Sequence, residues 1–272
     1  MPRPSDIVVV GAGIVGCAVA YELARRGASV QVVDGRRPVG MGATQASAGV
    51  LAPYIEADER NRVLFDLAVR SLHLYDSFIS RVVSDSGVAV RYQRTGTLEV
   101  TTSDERMATL RNVAARLEAQ GLPLGLFDGR AARAEEPFLS GDVVGGLLVP
   151  AHGFVSAGEL TRALAGAARS HGAQLIEGSH VQRIEEVDGD LVPSVWTAGF
   201  IGARAGLRPA SADQLPIIGP SQVLPNLLYA TGHYRNGVLL APLTAQLVAD
   251  AMLDNRIDRA LEATGPRRFG RL

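Results

Sequence analysis

The turn Gly11-Ala12-Gly13-Ile14-Val15-Gly16 constrains this chain more than any other feature. It stands between the apolar run Ile7-Val8-Val9-Val10 and an apolar, helix-like stretch. A second apolar run, Val30-Gln31-Val32-Val33, ends on Asp34. Gly11 allows a tight turn, Gly13 lets backbone approach a pyrophosphate, and Gly16 lets helix and strand pack closely. The helix N-terminus then faces phosphate, and Asp34 can accept hydrogen bonds from a ribose. A bland βαβ unit could carry glycines for packing alone. Here strand, turn, helix, second strand and acid all fall in register, and a dinucleotide site is expected.

At 272 residues the chain forms one large domain or two small ones. A net charge of −1 gives no electrostatic case for nucleic acid or an anionic membrane. No apolar stretch is long enough to span a bilayer. The first strand begins almost at the N-terminus, which leaves no room for a signal peptide, and the lone Cys17 permits no intrachain disulfide. A cytoplasmic protein is expected. All 27 basic residues are arginine. The lack of lysine excludes a lysine Schiff base and a Walker A loop, although genome base composition explains it as readily as function does.

Further along, Gly40 to Pro53 is a loop of small residues. Arg62 to Val83 reads as an amphipathic helix with Leu64, Leu67, Ser71, Tyr75, Phe78 and Val82 on one face. Arg91 to Thr101 alternates like a strand, Ser103 caps a helix that Gly121 ends, and Val143 to Val149 is another strand. Ser156 and Glu159 make a capping box before a helix over 160–170. Strands are expected at 173–177 and 181–187, then at Leu227–Ala230. A polar loop, Thr231–Asn236, leads from the last of these into a helix over Gly237–Met252.

Three blocks resemble the FAD-dependent amino-acid oxidases, and most closely the glycine oxidase branch of the thiamine pathway. They are the Gly11 turn with Asp34, the loop Ala43-Thr44-Gln45-Ala46-Ser47-Ala48-Gly49-Val50-Leu51, and Gly206-Leu207-Arg208-Pro209 together with Gly232 to Pro242. The resemblance implies an α/β protein. Its Rossmann-type FAD-binding domain would take residues 1–85 and 151–272, with a reduced α+β substrate domain over 86–150. It places Gly11, Gly13, Ile14, Val15 and Gly16 on the diphosphate of a non-covalent FAD, and Asp34 and Gly35 at the ribose. Ala43, Thr44, Ala48, Gly49 and Val50 would line the ribityl chain and ring, with Val181 on the adenine side. His233, Tyr234, Arg235, Asn236, Gly237, Val238 and Leu239 would close over the pyrimidine edge. A helix N-terminus there favours the anionic reduced ring.

Arg208 and Arg235 are expected to bind the carboxylate of a small amino-acid substrate, since guanidinium is the bidentate partner a desolvated carboxylate needs. Their neighbours are glycine, proline and apolar residues, which argues against an exposed face. Tyr234 is a pocket wall or a core aromatic. The implied chemistry passes hydride from the substrate Cα to flavin N5. An imino acid results and, with O2 as acceptor, hydrogen peroxide. No general base is assigned. His73, His152, His171, His180 and His233 show no metal spacing and read as structural or surface residues.

One departure is large. After Asp188-Gly189 the family continues through a long block that holds a sheet strand, most of the substrate domain and an active-site tyrosine. Here the chain passes directly to Leu191-Val192-Pro193, which resembles the end of a later helix, and Asp188-Gly189-Asp190 can join two strands. Loss of that block would open the pocket and bare an apolar face, which favours self-association or instability. An active oxidase, a dehydrogenase of the same fold, and a flavin-binding remnant without turnover all remain open.

Overall fold

β1 (Ile7–Val10) and β2 (Val30–Asp34) pair in parallel, Ile7 beside Val30 through Val10 beside Val33. β2 pairs in parallel again with β9 (Gln174–Glu177), giving the order β1-β2-β9. The computed structural model describes residues 6–56, 62–187, 190–196 and 208–270. A strand with two partners is covered, so Val30, Val32 and Val33 are each 1% exposed. Among the described residues β1 pairs with β2 alone, and Val10 at its end is 52% exposed.

The chain separates into two units. One comprises Met1–Gly49, Asp66–Arg91 and Ser156–Leu272; the other comprises Val50–Phe65 and Tyr92–Val155. Residues 50–65 were expected with the nucleotide-binding part. They group with the second unit together with residues 151–155, also expected with the nucleotide-binding part, since Val50 and Leu51 of β3 (Val50–Leu51) pair with Phe154 and Gly153 of β8 (Gly153–Val155). Residues 86–91, expected with the substrate domain, fall in the first unit.

In the first unit α1 (Ile14–Arg25) buries Cys17, Ala18, Ala20, Tyr21 and Leu23. Its small side chains admit α6 (Ala157–Ser170), which offers an alanine-rich face, and α7 (Gly237–Leu253). α3 (Arg62–Ser86) buries Leu67, Ser71, Tyr75, Phe78 and Val82 on the stripe expected from the sequence. At the far ends of α1 and α7, Arg26 bridges Glu22 (2.8 Å) and Asp250 (2.7 Å), while Arg256 reaches Asp250 at 2.6 Å. Burial pushes the Glu22 carboxyl up, but the Arg25 and Arg26 guanidinium groups outweigh it and hold the group below the ordinary range. β12 (Ile217–Pro220) and β13 (Leu228–Thr231) form an antiparallel pair. α8 (Ala260–Thr264) is tied to them where the Thr264 hydroxyl donates to the Ile218 carbonyl.

Three local expectations fail for physical reasons. Residues 190–196 form β11 (Asp190–Trp196), antiparallel to β10 (His180–Val187), where the end of a helix was expected. Val192, Val195 and Trp196 favour a strand, and in a two-stranded ladder Pro193 can turn its missing donor outward. Residues 188 and 189 of the expected turn lie outside the described residues. The capping box does not form: Ser156 makes no side-chain cap, and the Glu159 carboxylate accepts from Arg91 N and Nε, each at 2.8 Å. The single strand over 91–101 is broken at Gly96, whose φ of +87° turns the chain.

The second unit therefore contains β4 (Tyr92–Gln93), which joins β8 and β3, and a separate sheet ordered β5-β7-β6. That sheet is built from β5 (Thr97–Thr101), β6 (Gly125–Asp128) and β7 (Gly145–Val149). α4 (Asp104–Ala119), capped by Ser103, buries Met107, Leu110, Ala114 and Leu117. α2 (Pro53–Glu56) and α5 (Gly129–Glu135) are short. His152 is buried between Tyr54, which stacks on it and donates its backbone N–H to Nε2, and the Thr97 hydroxyl at 2.7 Å from Nδ1. Burial lowers its pKa to about 4, so the ring is neutral.

Candidate functional site

The β1–α1 junction is shaped by what its glycines leave out. Gly11 adopts φ +101° while its N–H donates to the Val33 carbonyl at 2.8 Å. A Cβ on Gly16 would lie 1.9 Å from the Gly11 carbonyl oxygen, so no other residue fits there without moving backbone. Gly13 is the N-cap of α1 and offers no side chain to the first-turn N–H groups. Ile14 N donates instead to the buried Thr44 hydroxyl (3.1 Å), which seats the short 3-10 turn Ala43–Ala46 over the helix N-terminus. Val15, in the same first turn, is half-buried.

Asp34 ends β2 facing this turn. One of its carboxylate oxygens accepts from Ala12 N at 2.6 Å, the other from Arg36 N at 2.7 Å. Each oxygen keeps a second lone pair for a hydroxyl donor. Beside it, a Cβ on Gly35 would meet the His180 ring at 2.5 Å, so the imidazole covers the end of β2. Nothing in the spacing of His180 pointed to this placement. Val181 follows it in β10, opposite Val195. Cys17 is buried behind the turn, its Sγ 3.5 Å from the Ala12 carbonyl, and burial pushes the thiol up to about 12. It is a packing residue with no reactive thiolate.

In the small-residue loop, Gly49 is buried at φ +73° and Ala48 is exposed. Val50, in the second unit, is 47% exposed.

The β13–α7 junction is built differently. Gly232 (φ +70°) turns the chain, and Ala210 bridges His233 while Tyr234 N donates to the Pro209 carbonyl at 2.8 Å. The chain then turns through Tyr234 and Arg235, where Asn236 N donates to the His233 carbonyl, so the bridge ends there. Arg208 and Arg235 each lie two residues from that bridge, but both are exposed, which corrects the expectation of a covered position. They stand at the open end of a bridge too short to shelter them. Gly206 and Leu207 lie outside the described residues.

Tyr234 is half-buried in the left-handed region at φ +48°, uncommon for a side chain of its size. His233 is 4% exposed, with Nε2 3.0 Å from the Thr244 hydroxyl of α7. Desolvation lowers its pKa to about 4 and keeps it neutral. The surface reading of this histidine does not hold, and its partner lies eleven residues further on in α7, where sequence spacing gives little warning. Asn236 N donates to the His233 carbonyl and Leu240 N to the Asn236 carbonyl, so α7 starts at Gly237 with the Gly237, Val238 and Leu239 N–H groups at its open end.

The sequence model of the FAD dependent oxidoreductase family matches residues 6–203 and 190–251. The two matches overlap at the point where the long block is missing. A bifunctional ThiO/ThiG protein of Nostoc sp. is 27% identical over 94% of this chain, which spans 54% of that relative. The glycine oxidase of Bacillus subtilis is 24% identical over 95% of the chain and 96% of its own length. That alignment runs for 360 positions against 272 residues, so the relative carries positions this chain lacks. The chain spans about half the length of the bifunctional relatives it matches. The crystal structure of glycine oxidase from Geobacillus kaustophilus superposes with a TM-score of 0.84 at 23% identity, over 96% of this chain and 98% of that one. With two glycine-bearing strand–helix junctions and this match over most of its length, the chain belongs to the FAD dependent oxidoreductase family.

Proposed function

We propose that the protein binds FAD non-covalently and oxidises glycine or another small amino acid or secondary amine, with O2 as electron acceptor. The observation that carries this reading is the cradle at β1–α1. Gly11 and Gly16 leave backbone where side chains would otherwise stand, α1 presents its N-terminus there, and the Asp34 carboxylate lies alongside. These features fit a diphosphate and a ribose diol. Gly11, Gly13, Ile14, Val15 and Gly16 would hold the diphosphate, with Asp34, Gly35 and Val181 at the adenosine. Ala43, Thr44, Ala48, Gly49 and Val50 would line the ribityl chain and ring. His233 to Leu239 would close the pyrimidine edge. FAD held there supplies a two-electron acceptor.

The chain's own residues orient and polarise. The N–H groups opening α7 direct partial positive charge at the edge where reduction builds negative charge. Arg208 and Arg235, each two residues from the Ala210–His233 bridge, would clamp a carboxylate. Tyr234, next to Arg235 in the left-handed region, would form a wall of the substrate site. No side chain is assigned as general base.

A second reading is favoured by one observation. The relatives carry a block this chain lacks, which is consistent with a flavin-binding protein that does not turn over. Peroxide release with glycine as substrate decides between them. The expected result is peroxide formation by the wild type. Arg208→Ala should raise KM about ten- to a hundredfold with flavin content unchanged, as loss of a charge-assisted pair predicts. Flavin reduction without peroxide would mark a dehydrogenase. Bound flavin that no small amino acid reduces would mark the remnant, and an unchanged KM in the variant would remove Arg208 from the site.

A further inference from the structure

α7 carries a proline in its second turn, Pro242. A proline there has no N–H for the carbonyl four residues back, and its ring crowds that carbonyl. The carbonyl is that of Val238, in the turn whose N–H groups open toward the proposed pyrimidine site. An unsatisfied buried carbonyl is costly. The structure supplies a substitute from another helix: the hydroxyl of Tyr75, fully buried on α3, donates to the Val238 carbonyl at 2.5 Å.

The next rung is modified as well. Ser71, one turn earlier on α3 and also fully buried, donates to the Leu239 carbonyl at 2.6 Å and accepts from Leu243 N at 3.4 Å. Its hydroxyl is thus inserted into the rung between Leu239 and Leu243. Two hydroxyls at helical spacing on α3 complete the ladder that Pro242 opens. Neither lies on a loop or at the surface, so their positions are fixed by the packed core around Leu72 and Phe78.

We propose that Tyr75 and Ser71 are positioning residues of the cofactor site, fixing through the Val238 and Leu239 carbonyls the direction of the N–H groups at the start of α7. This rests on the proposed function, because it presumes that the opening of α7 faces the flavin. Pro242 frees the first turn from the regular ladder, and α3 then sets its orientation. A helix start held by two buried side-chain bonds has less freedom to reorient than one held by backbone bonds alone, and a preorganised dipole is worth more than one that must adjust. Tyr75 and Ser71 act through α7 and touch no reacting atom.

The test compares the FAD-loaded wild type with Tyr75→Phe, Pro242→Ala and the Tyr75→Phe/Pro242→Ala pair. The readouts are the FAD dissociation constant, the flavin midpoint potential and unfolding by denaturant. Tyr75→Phe should weaken FAD binding about tenfold, the worth of one buried hydrogen bond, and move the potential to a more negative value. Alanine at 242 restores an N–H for the Val238 carbonyl, so the pair should recover most of both losses. If Tyr75→Phe does not fold, recovery of a folded, FAD-binding pair supports the proposal, and failure of the pair to recover overturns it. A Tyr75→Phe protein that is less stable yet keeps both the wild-type dissociation constant and the potential overturns it, since the role is then structural only. A wild type that takes up no FAD overturns the proposed function and this inference with it. A wild type that binds FAD while the variants match it overturns this inference alone.

Discussion

The two strand–loop–helix junctions of the first unit reach similar ends by different means. At β1–α1 the backbone path is set within six residues by a glycine with positive φ, a bare N-cap, and a glycine whose Cβ would strike backbone at 1.9 Å, with Thr44 and Asp34 only bonding the N–H groups left free. At β13–α7 the loop holds a tyrosine in the left-handed region, and the helix holds a proline. Its geometry is secured by side chains from elsewhere, namely Thr244 on His233, and Ser71 and Tyr75 on the first helical turn. One junction is shaped by the absence of side chains, the other by buried polar side chains with specific partners. The first has no room for a Cβ at Gly16 and is strained by one at Gly11. The second depends on solvent conditions and on distant residues.

The sharpest way to break this comparison is Gly16→Ala. The added methyl group displaces either α1 or the turn, at a cost of about 3 kcal/mol or more, and should abolish FAD uptake. Denaturant unfolding and FAD titration check both parts. Full binding by the variant would show that the cradle is not rigid.

The second junction should respond to pH through His233. His233 is neutral when folded, its pKa lowered to about 4, against 6.5 for the unfolded chain. The unfolded state therefore binds more protons between those values. The stability contributed is fully present above about pH 6.5 and is lost as pH falls toward 4, up to about 3 kcal/mol. His152 in the second unit has the same sign and window. Unfolding free energy measured from pH 7 to pH 4.5 should decline, and His233→Gln should flatten part of the slope. A variant with the wild-type slope would contradict the assignment.

Two smaller tests sharpen the comparison. Arg26→Met leaves the buried Glu22 and Asp250 carboxylates with only Arg25 and Arg256, and should cost about 2 kcal/mol by loosening the α1–α7 contact. The loss should disappear when both acids are replaced by their amides. Thr44→Val removes the acceptor for Ile14 N and should cost about 1 kcal/mol, a figure that urea denaturation can resolve. A neutral Thr44→Val would mean that the N-terminus of α1 needs no cap.

What was legible in the sequence follows the same division. The β1–α1–β2 unit, its glycines and Asp34 could be read directly because each acts through its own backbone and its near neighbours. The α3 stripe and the α7 limits were legible from periodicity and from Asn236-Gly237. Ser71 and Tyr75 could be placed on the buried face, but their task could not, since it depends on a carbonyl more than 160 residues away. The signal was present in Pro242, whose position identifies Val238 as the carbonyl needing a donor. Arg208 and Arg235 were read as covered by their glycine and apolar neighbours, yet their exposure depends on how short the bridge at Ala210 is. Glu159 left its cap because Arg91, distant in sequence, offered a guanidinium as well as a backbone donor. Residues 190–196 misled because a segment resembling the end of a helix was placed beside β10, where its valines and tryptophan could form a ladder.

The most direct test of the central claim is the absorption spectrum of the purified protein after incubation with FAD, recorded before and after anaerobic addition of glycine. The account predicts a yellow protein that retains its flavin through gel filtration and bleaches with glycine or another small amino acid. A colourless protein that cannot be reconstituted with FAD would contradict it, showing that two intact junctions do not make a cofactor site without the missing block.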